Sequence, residues 1–345
     1  AIGNQLKVKI FLLSDANNVF DESNNNFTVK GTLTMTSPNG TESWEVGTAH
    51  NITWNRFGQS MGTVKLEYST DSGTTYPVGN LIATGVVSGD LSLPWTVPDA
   101  IGSALRVKIT LLSDSATNDE SNADFSIKGK IVLSAPNGGE TLSVGASQNI
   151  AWTGYGTFTK VNLYYSTDSG VSYPSTIATA ADNTGTYPWT VADAIGTTIR
   201  VKVANYDDPN NVSDTSNADF TIKGSLVLTA PNGAETWIVN SSHNITWTKQ
   251  GSVGNAKLEY STDGGTTYPG SITLSVNTAD LSYPWIIPDA IGANIKVKLT
   301  SLGDPSVNDE SGAIFTIKGS VAVTSPNGGE SWLIGSAQDV TWTRQ

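Results

Sequence analysis

One short pattern is written four times along this chain, and it constrains the fold more than any other feature. Residues 105–110 read Leu-Arg-Val-Lys-Ile-Thr, so that apolar and polar side chains alternate strictly. Equivalent segments begin at Leu6, Ile199 and Ile295. Alternation with a period of two residues is typical of a β-strand that buries one face. The sequence therefore predicts a repetitive, all-β protein.

Two further motifs give the length of the repeat. The triplet Pro-Asn-Gly recurs at intervals of 98, 95 and 95 residues, beginning at Pro38, Pro136, Pro231 and Pro326. A tryptophan in Ile-Thr-Trp or a close variant recurs at the same intervals, as Trp54, Trp152, Trp247 and Trp342. We predict complete units at 32–129, 130–224 and 225–319, with part of a unit at 1–31 and another at 320–345.

Each complete unit is predicted to contain seven or eight short strands and no helix, separated by Gly, Pro and Asn turn signals. In the first unit we expect strands near 51–54, 64–68, 91–97 and 123–127. Residues 91–97 should form one strand whose inner face carries Leu91, Leu93, Trp95 and Val97. Such a succession is typical of an antiparallel β-sandwich. The predicted fold class is all-β, with tandem immunoglobulin or fibronectin-III-like sandwiches in an elongated array.

The connections between units are very short. Only Lys128-Gly129-Lys130 and Lys223-Gly224-Ser225 separate the last strand of one unit from the first strand of the next. Such connections leave little freedom, unlike a long Gly/Ser tether. We expect a semi-rigid string in which each unit advances roughly 35–45 Å. Neighbouring units should meet through the Pro-Asn-Gly turn, the loop Asp99–Gly102 and the loop before the last strand.

Composition excludes several classes of function. The 345 residues carry a net charge of −12 and no basic cluster, which disfavours binding to nucleic acid or to an anionic membrane. The absence of cysteine excludes disulfides and thiolate metal sites. No run approaches the roughly 18 apolar residues of a membrane span. Residues 1–3 repeat the Ala-Ile-Gly of 100–102, so we expect the chain to be a window of a longer polypeptide.

Four longer motifs occur in a fixed order within the repeats. They are Asn-Ile-Thr-Trp at 51–54, Tyr-Ser-Thr-Asp-Ser-Gly at 68–73, Tyr-Pro-Trp-Thr-Val at 187–191 and Pro-Asn-Gly-Gly-Glu-Ser-Trp at 326–332. This set resembles the immunoglobulin-like repeat of large bacterial surface proteins. It is also similar to the Ser/Thr-rich, GPI-anchored, yeast cell-wall-synthesis type of domain. The resemblance implies a fold and an extracellular setting, and it implies no catalytic residues.

A shorter motif, Ser69-x-Asp71-x-Gly73-x-Thr75-Tyr76, returns at Ser166 and Ser261. It resembles the Asp-box of sialidase propellers, which is a structural hairpin in that family. We expect Asp71 to accept hydrogen bonds from backbone amides of its own turn. Gly73 should supply a positive φ angle.

The sequence contains few candidate catalytic residues. The two histidines, His50 and His243, occupy a position that is Gln148 and Gln338 in the other units. A catalytic base would not be exchanged for glutamine among equal copies, so we expect a surface or strand-edge role. The recurring carboxylates lie in turns of every repeat, whereas a hydrolase site would be unique. We therefore predict that the chain is not an enzyme.

Calcium binding is a better-supported chemical role for the acidic residues than catalysis. The loop before the last strand concentrates oxygen ligands in every unit, and such a loop at a domain junction can hold this ion. The predicted ligands are Asp114, Asp119, Glu120, Asp207, Asp214, Asp304, Asp309 and Glu310. The alternative is an acidic, solvated loop whose aspartates cap the turn into the next strand, since no EF-hand spacing is present. No other cofactor is predicted.

The function predicted from the repeats is structural: a segment of a long extracellular fibre, filament, sheath or adhesin stalk on a bacterial cell surface. Its partners would be neighbouring copies or other cell-surface components. The alternative is a carbohydrate-binding module array of a secreted polysaccharide-degrading enzyme, which an exposed aromatic platform in every unit would favour. Alternation places Trp54 and Trp95 in the core. Three further tryptophans either pack an edge or are partly exposed, namely Trp44, Trp237 and Trp332.

Overall fold

The structure is a computed structural model that describes residues 2–59 and 61–344; Ala1, Ser60 and Gln345 lie outside the described residues. The chain begins with two small hairpin-like pairs in residues 2–31. Strand β1 (Gly3–Leu6) pairs with β4 (Phe27–Val29), and β2 (Lys9–Phe11) pairs with β3 (Phe20–Glu22). The predicted continuous strand from Leu6 to Ile10 is thus interrupted between β1 and β2.

The first complete unit, residues 32–129, contains nine strands. They are β5 (Thr32–Ser37), β6 (Ser43–Glu45), β7 (Ala49–Phe57), β8 (Thr63–Ser69), β9 (Leu81–Val87), β10 (Ser92–Thr96), β11 (Gly102–Leu111), β12 (Asn118–Glu120) and β13 (Phe125–Lys128). Short 3₁₀ turns at Val78–Asn80 and Ser88–Asp90 lie on either side of β9, where we expected no helical residues.

These strands form two sheets that pack face to face. One sheet has the order β10-β7-β5, and the other has the order β6-β13-β11-β8-β9, with β12 also paired to β11. Strand β6 runs parallel to β13, while the other pairs are antiparallel. The chain therefore crosses from one sheet to the other between β5 and β6. This is a sandwich of the immunoglobulin and fibronectin-III-like kind, as predicted.

The same plan is repeated twice. Residues 130–224 contain β14 (Lys130–Ala135), β15 (Thr141–Ser143), β16 (Ser147–Tyr155), β17 (Lys160–Ser166), β18 (Ser175–Asp182), β19 (Thr186–Thr190), β20 (Gly196–Asn205), β21 (Ser213–Thr215) and β22 (Phe220–Lys223). Residues 225–319 contain β23 (Ser225–Ala230), β24 (Thr236–Ile238), β25 (Ser242–Gln250), β26 (Asn255–Ser261), β27 (Gly270–Asn277), β28 (Ser282–Ile286), β29 (Gly292–Ser301), β30 (Asn308–Glu310) and β31 (Phe315–Lys318), with a 3₁₀ turn at Thr278–Asp280. Their sheets have the same strand orders as the first unit.

Alternate residues of the strands fill the core between the sheets. Leu105, Val107 and Ile109 of β11 are buried, as their period predicts. Trp54 is buried as well, and its indole N–H donates to the carbonyl of Ser88 at 3.0 Å. Leaving the one donor of a buried tryptophan without an acceptor would cost stability. The 3₁₀ turn after β9 supplies that acceptor.

Hydrogen bonds from side chains join β5 to the opposite sheet. Oδ2 of Asp119 on β12 accepts the backbone N–H of Met35 on β5 at 2.6 Å. The hydroxyl of Ser121, which is fully buried, accepts from the amide of Val107 at 3.0 Å and donates to the carbonyl of Pro38 at 2.7 Å. Asp214 and Asp309 repeat the first bond, to Leu133 and Leu228. Backbone groups that the ladders leave free are satisfied in this way.

The prediction for Leu91 was wrong, and the structure decides between the alternatives for the three further tryptophans. Leu91 is exposed and has a φ of 59°, because it ends the 3₁₀ turn and precedes β10 instead of belonging to it. The pattern of alternate residues therefore starts at Leu93. Trp44 and Trp237 are buried against the core, whereas Trp332 in the last partial unit is exposed.

Residues 320–344 contain one strand pair, β32 (Val321–Ser325) with β33 (Thr341–Arg344). Trp342 is exposed here, although its counterpart Trp54 is buried, because the described residues of this segment contain no opposing sheet. No helix in the part of the chain that the structure describes is long and apolar enough to cross a membrane.

The bond from Asp119 to strand β5 gives a local test. Replacing Asp119 by Ala leaves the Met35 amide without an acceptor, which should cost roughly 1–3 kcal/mol. We expect faster hydrogen exchange at that amide by mass spectrometry or NMR. Asp119→Asn, which keeps one acceptor oxygen, should retain most of the protection. Equal exchange in the wild type and in Asp119→Ala would contradict the assigned bond.

Candidate functional site

The recurrent site that all three complete units share is the joint between consecutive units. One residue, Gly129, separates β13 from β14, and one residue, Gly224, separates β22 from β23. We define the first joint as residues 99–101, 129 and 156–157, and the second joint as residues 193–195, 224 and 251–252. Each joint brings the loop after β10 or β19 of one unit against the loop after β16 or β25, the third strand of the next unit.

At the first joint, a carboxylate of one unit binds two donors of the next. Oδ1 of Asp99 accepts the backbone N–H of Thr157 at 3.0 Å, and its other oxygen accepts the Thr157 hydroxyl. A carboxylate that takes both donors of one residue fixes that residue in position and direction. Asp99 thus acts as a clamp across the boundary between units.

The second joint repeats the clamp with a different hydroxyl residue. Asp193 accepts the backbone N–H of Ser252 at 2.9 Å and its hydroxyl at 2.5 Å. The hydroxyl bond, then the amide bond, and then the charge of Lys249 lower the pKa of Asp193 below its ordinary value. The clamp therefore holds as a charged carboxylate near neutral pH.

An isoleucine packs beside each clamp. Ile101 lies against Gly156, and Ile195 lies against Gly251 and Gly224. Ile291, the equivalent side chain after the third unit, is 62% exposed, compared with 44% for Ile101 and 42% for Ile195. The joint therefore covers part of each isoleucine, and this burial adds to the hydrogen bonds.

Two glycines allow this close approach. Gly156 has a φ of 96°, and a Cβ there would lie 2.8 Å from Cδ1 of Ile101. Gly251 has a φ of 78°, and a Cβ there would lie 2.9 Å from a methyl carbon of Val144. Both the backbone conformation and the contact require the absence of a side chain.

Ion pairs also cross the boundaries. Lys30 pairs with Asp114 at 2.8 Å, and Lys223 pairs with Asp304 at 3.1 Å. In both cases the acidic loop before the last strand contacts the last lysine of the preceding unit, as expected from the sequence. Glu45 approaches Lys130 of the next unit at 3.3 Å. These partly exposed pairs contribute little individually, so the clamp and the packed isoleucine carry more of the joint.

The Pro-Asn-Gly turn lies elsewhere, although we expected it between units. Glu42 accepts the amides of Asn39 and Gly40, both at 2.8 Å, and Asn39 Oδ1 accepts the amide of Asn122 at 2.7 Å. These partners all belong to the same unit. The turn holds the crossing from β5 to β6 in place, because it packs on the loop that precedes β13.

The Asp-box turn behaves as predicted. Asp71 accepts the Ser69 hydroxyl at 2.6 Å, the Thr75 amide at 2.8 Å and the Thr75 hydroxyl at 2.7 Å, and Gly73 has a φ of 84°. These bonds, led by the one from Ser69, lower the pKa of Asp71 to about 2. The sequence did not reveal that Ser69 itself is fully buried.

The eight predicted calcium ligands are divided among separate contacts. Asp119, Asp214 and Asp309 accept strand amides, as described above. Asp207 is exposed. Each of the other four carboxylates binds side chains of its own chain, as Glu120 binds the Tyr76 hydroxyl at 2.7 Å. The four sets of partners are Asp114 with Lys30 and Thr117, Glu120 with Tyr76 and Arg106, Asp304 with Lys223 and Ser306, and Glu310 with Tyr268 and Lys296.

No group of three or more metal-binding side chains lies together within residues 2–59 and 61–344. Calcium binding by the acidic loops stays a prediction, which melting curves with and without a chelator would test. The carboxylates would have to exchange bonds with their own chain for bonds to the ion.

The histidines have structural partners. His50 stacks on Trp44 with ring centroids 4.4 Å apart, and His243 stacks on Trp237 at 4.5 Å. Each ring also has a hydroxyl partner at 3.0 Å, Thr48 or Ser241. The half-buried histidines therefore cover the edge of the core, in agreement with the predicted strand-edge role.

No family model matches the chain, and no curated protein is significantly similar to it. Among solved structures, fibronectin(III)-like modules of Clostridium thermocellum CbhA are 18% identical, over 56% of this chain and 94% of that one, with a TM-score of 0.22.

Two further solved structures are tandem immunoglobulin domains. The N-terminal four Ig domains of Dscam1 isoform 6.9 are 11% identical, over 85% of this chain and 73% of that one, with a TM-score of 0.30. Titin domains I67–I69, in an E-to-A mutated variant, are 10% identical, over 84% of this chain and 99% of that one, with a TM-score of 0.31. Identities of this size concern the fold alone.

The Asp-box carboxylates predict a response to acid. The pKa of both Asp71 and Asp168 is lowered to about 2, and that of Asp263 is also lowered. A lowered folded-state pKa gives stability that is present above the ordinary carboxylate pKa and is lost as pH falls toward about 2. The triple variant Asp71→Asn, Asp168→Asn, Asp263→Asn should be less stable than the wild type at neutral pH. Its free energy of unfolding should also change less with pH in that acidic window. Parallel pH–stability curves would contradict the assignment.

Proposed function

We propose that the chain is a structural segment of a long extracellular repeat protein, such as a cell-surface fibre, filament, sheath or adhesin stalk. It acts by extension: each unit closes its own core, and the clamped joint sets the direction of the next. The observation that carries this proposal is the recurrence of the same joint, with Asp99 on Thr157 and Asp193 on Ser252. A flexible tether would need no such contacts.

The mechanism is additive. A single clamp limits rotation at one boundary, and a one-residue linker keeps the two units adjacent. The number of units then sets the reach of the chain, and the joints set its stiffness. We propose a bacterial cell surface as the setting, on the resemblance of the repeats and on their low content of charged residues, 14%. We also propose that the segment has no catalytic activity of its own.

The carbohydrate-binding alternative needs an aromatic platform in every unit. Two tyrosine positions recur in all three complete units. One packs against the core, as Tyr68, Tyr165 and Tyr260, and the other lies further out, as Tyr76, Tyr173 and Tyr268. A lysine ammonium lies 5.2–5.9 Å from the centre of each ring of the second set, and two of its hydroxyls donate to glutamates. Rings that are covered in this way are poor stacking surfaces for sugars, so extension is the function better supported.

The clamp can be tested by small-angle X-ray scattering. We expect the wild type to have a maximum dimension of about 150 Å, if each unit adds about 40 Å. Asp99→Ala with Asp193→Ala should shorten the average dimension and broaden the distance distribution, while the melting temperature stays unchanged, because the bonds lost lie between units.

Asp289→Ala is the matched control. This aspartate holds the same place in the third unit, and it has no hydrogen bond or ion pair within the described residues. Its removal should leave the scattering curve unchanged. A wild type that already scatters as freely jointed units, or a double variant that scatters like the wild type, would overturn the proposal.

A further inference from the structure

The two sheets of each unit present very different outer faces. In the first unit, the outward residues of the three-stranded sheet are the even-numbered residues of β5 and β10 and the odd-numbered residues of β7. We call this surface, with its equivalents on β14, β16 and β19 and on β23, β25 and β28, the neutral face. Over the three units its charged residue is Lys130, and the other positions are uncharged.

The outer face of the larger sheet carries the charge instead. In the first unit Lys65 and Glu67 point outward from β8, and Arg106 and Lys108 point outward from β11. Equivalent strands of the third unit carry Lys257, Glu259, Lys296 and Lys298. A solvated strand face ordinarily carries charges of this kind. The neutral face is therefore the unusual one.

Some hydroxyls of the neutral face already have a hydrogen-bond partner. The hydroxyls of Thr36 and Thr53 lie 2.7 Å apart, and the pair Thr229 and Thr246 repeats this at 2.7 Å. The hydroxyl of Ser134 donates to a strand carbonyl at 3.0 Å. Hydroxyls that already have a partner lose less when water is removed than free hydroxyls do. These particular hydroxyls can therefore be covered at lower cost than free ones.

Apolar side chains lie among these hydroxyls. Phe57 is 72% exposed and Ile286 is 61% exposed, and Val132 and Val227 are also exposed at equivalent positions of β14 and β23. Removing these side chains from water would stabilise a contact in proportion to the area covered. The neutral face thus combines uncharged polar groups, some of them already bonded, with uncovered apolar side chains.

The edge of the same sheet is protected against strand addition. Strands β10, β19 and β28 form one edge of the three-stranded sheets, and each contains a proline, namely Pro94, Pro188 or Pro284. Proline has no N–H to give to an added strand, and it is found on edges for this reason. Strand addition at this edge is therefore disfavoured, whereas contact through the face is not.

We propose that the neutral face is a lateral contact surface for a second copy of this chain. Two copies with a net charge of −12 each repel one another, and a charge buried without a counter-charge is costly. Two neutral faces that meet bury almost no charge on either side. The inference goes beyond the extension function and does not rest on it, since a chain with loose joints could still pair laterally.

The small area of the neutral face on one unit explains why this face would recur on every unit. Three strands spaced about 4.8 Å apart, with some five residues of 3.3 Å rise each, offer roughly 200–300 Å² per unit. A standard interface covers about 800 Å² on each partner. One unit is too small for a stable contact, so the faces of several units must act together. Association should therefore be weak and cumulative.

The test is sedimentation equilibrium of the 345-residue protein over a range of concentrations. The face variant is Thr34→Lys, Val132→Lys, Val227→Lys, at equivalent outward positions of the first strand of each unit. The control variant is Ser126→Lys, Thr221→Lys, Thr316→Lys on the outer face of the larger sheet. Both variants change the net charge equally, so a difference between them reports the surface and not the charge.

We expect the wild type to self-associate and the face variant to raise the dissociation constant by more than about tenfold. The control variant should not raise it. Added salt should strengthen the association, because it screens the repulsion between acidic chains, with a Debye length of about 10 Å at 0.1 M and 3 Å at 1 M.

Several results would overturn the proposal. They are a wild type that stays monomeric at every concentration, a control variant that weakens association as much as the face variant, and an association that salt weakens. A soluble neutral glucan is added in a separate titration. Glucan binding that the face variant loses, without any self-association of the wild type, would assign the surface to polysaccharide instead.

Discussion

A carboxylate of one sandwich holds the amide and the hydroxyl of one residue in the next sandwich, and the arrangement of the whole chain depends on that contact. Asp99 makes it with Thr157, and Asp193 makes it with Ser252. The linker of one residue brings the partners together, and the glycine before each hydroxyl residue leaves room for an isoleucine. Each joint therefore combines a one-residue linker, charge-assisted hydrogen bonds and local packing.

The interior of each sandwich also combines apolar packing with a few polar bonds. Alternating apolar side chains fill the space between the sheets, and a few carboxylates and hydroxyls bond the backbone where the ladders end. Repetition of these polar links in every unit explains why acidic residues recur at equal intervals. Most of the eight candidate calcium ligands are accounted for by such bonds, since they accept hydrogen bonds or salt bridges from their own chain.

Sequence patterns predicted the parts of the structure that depend on neighbours along the chain. The two-residue period identified the buried side of β11, and the spacing of Asp71 and Thr75 predicted the Asp-box turn. The same period failed at Leu91, because a turn with positive φ interrupts the alternation just before β10.

Contacts between distant residues could not be read in this way. The bond from Asp119 to Met35 joins residues 84 apart, and the partner of Asp99 lies 58 residues further along the chain. The sequence marked the loop of Asp99 as a contact region without indicating what it binds. The neutral face is visible only after the strands are assigned to two sheets, because its residues come from three separate strands.

A fixed orientation between consecutive units is the central claim, and a spin-label distance measurement tests it most directly. The chain contains no cysteine, so Ser126→Cys and Thr221→Cys would place the labels only on equivalent strands of the first two units. One narrow distance distribution between the two labels is the predicted result. A broad distribution, or several separate distances, would show that the units reorient freely and would contradict the clamped joint.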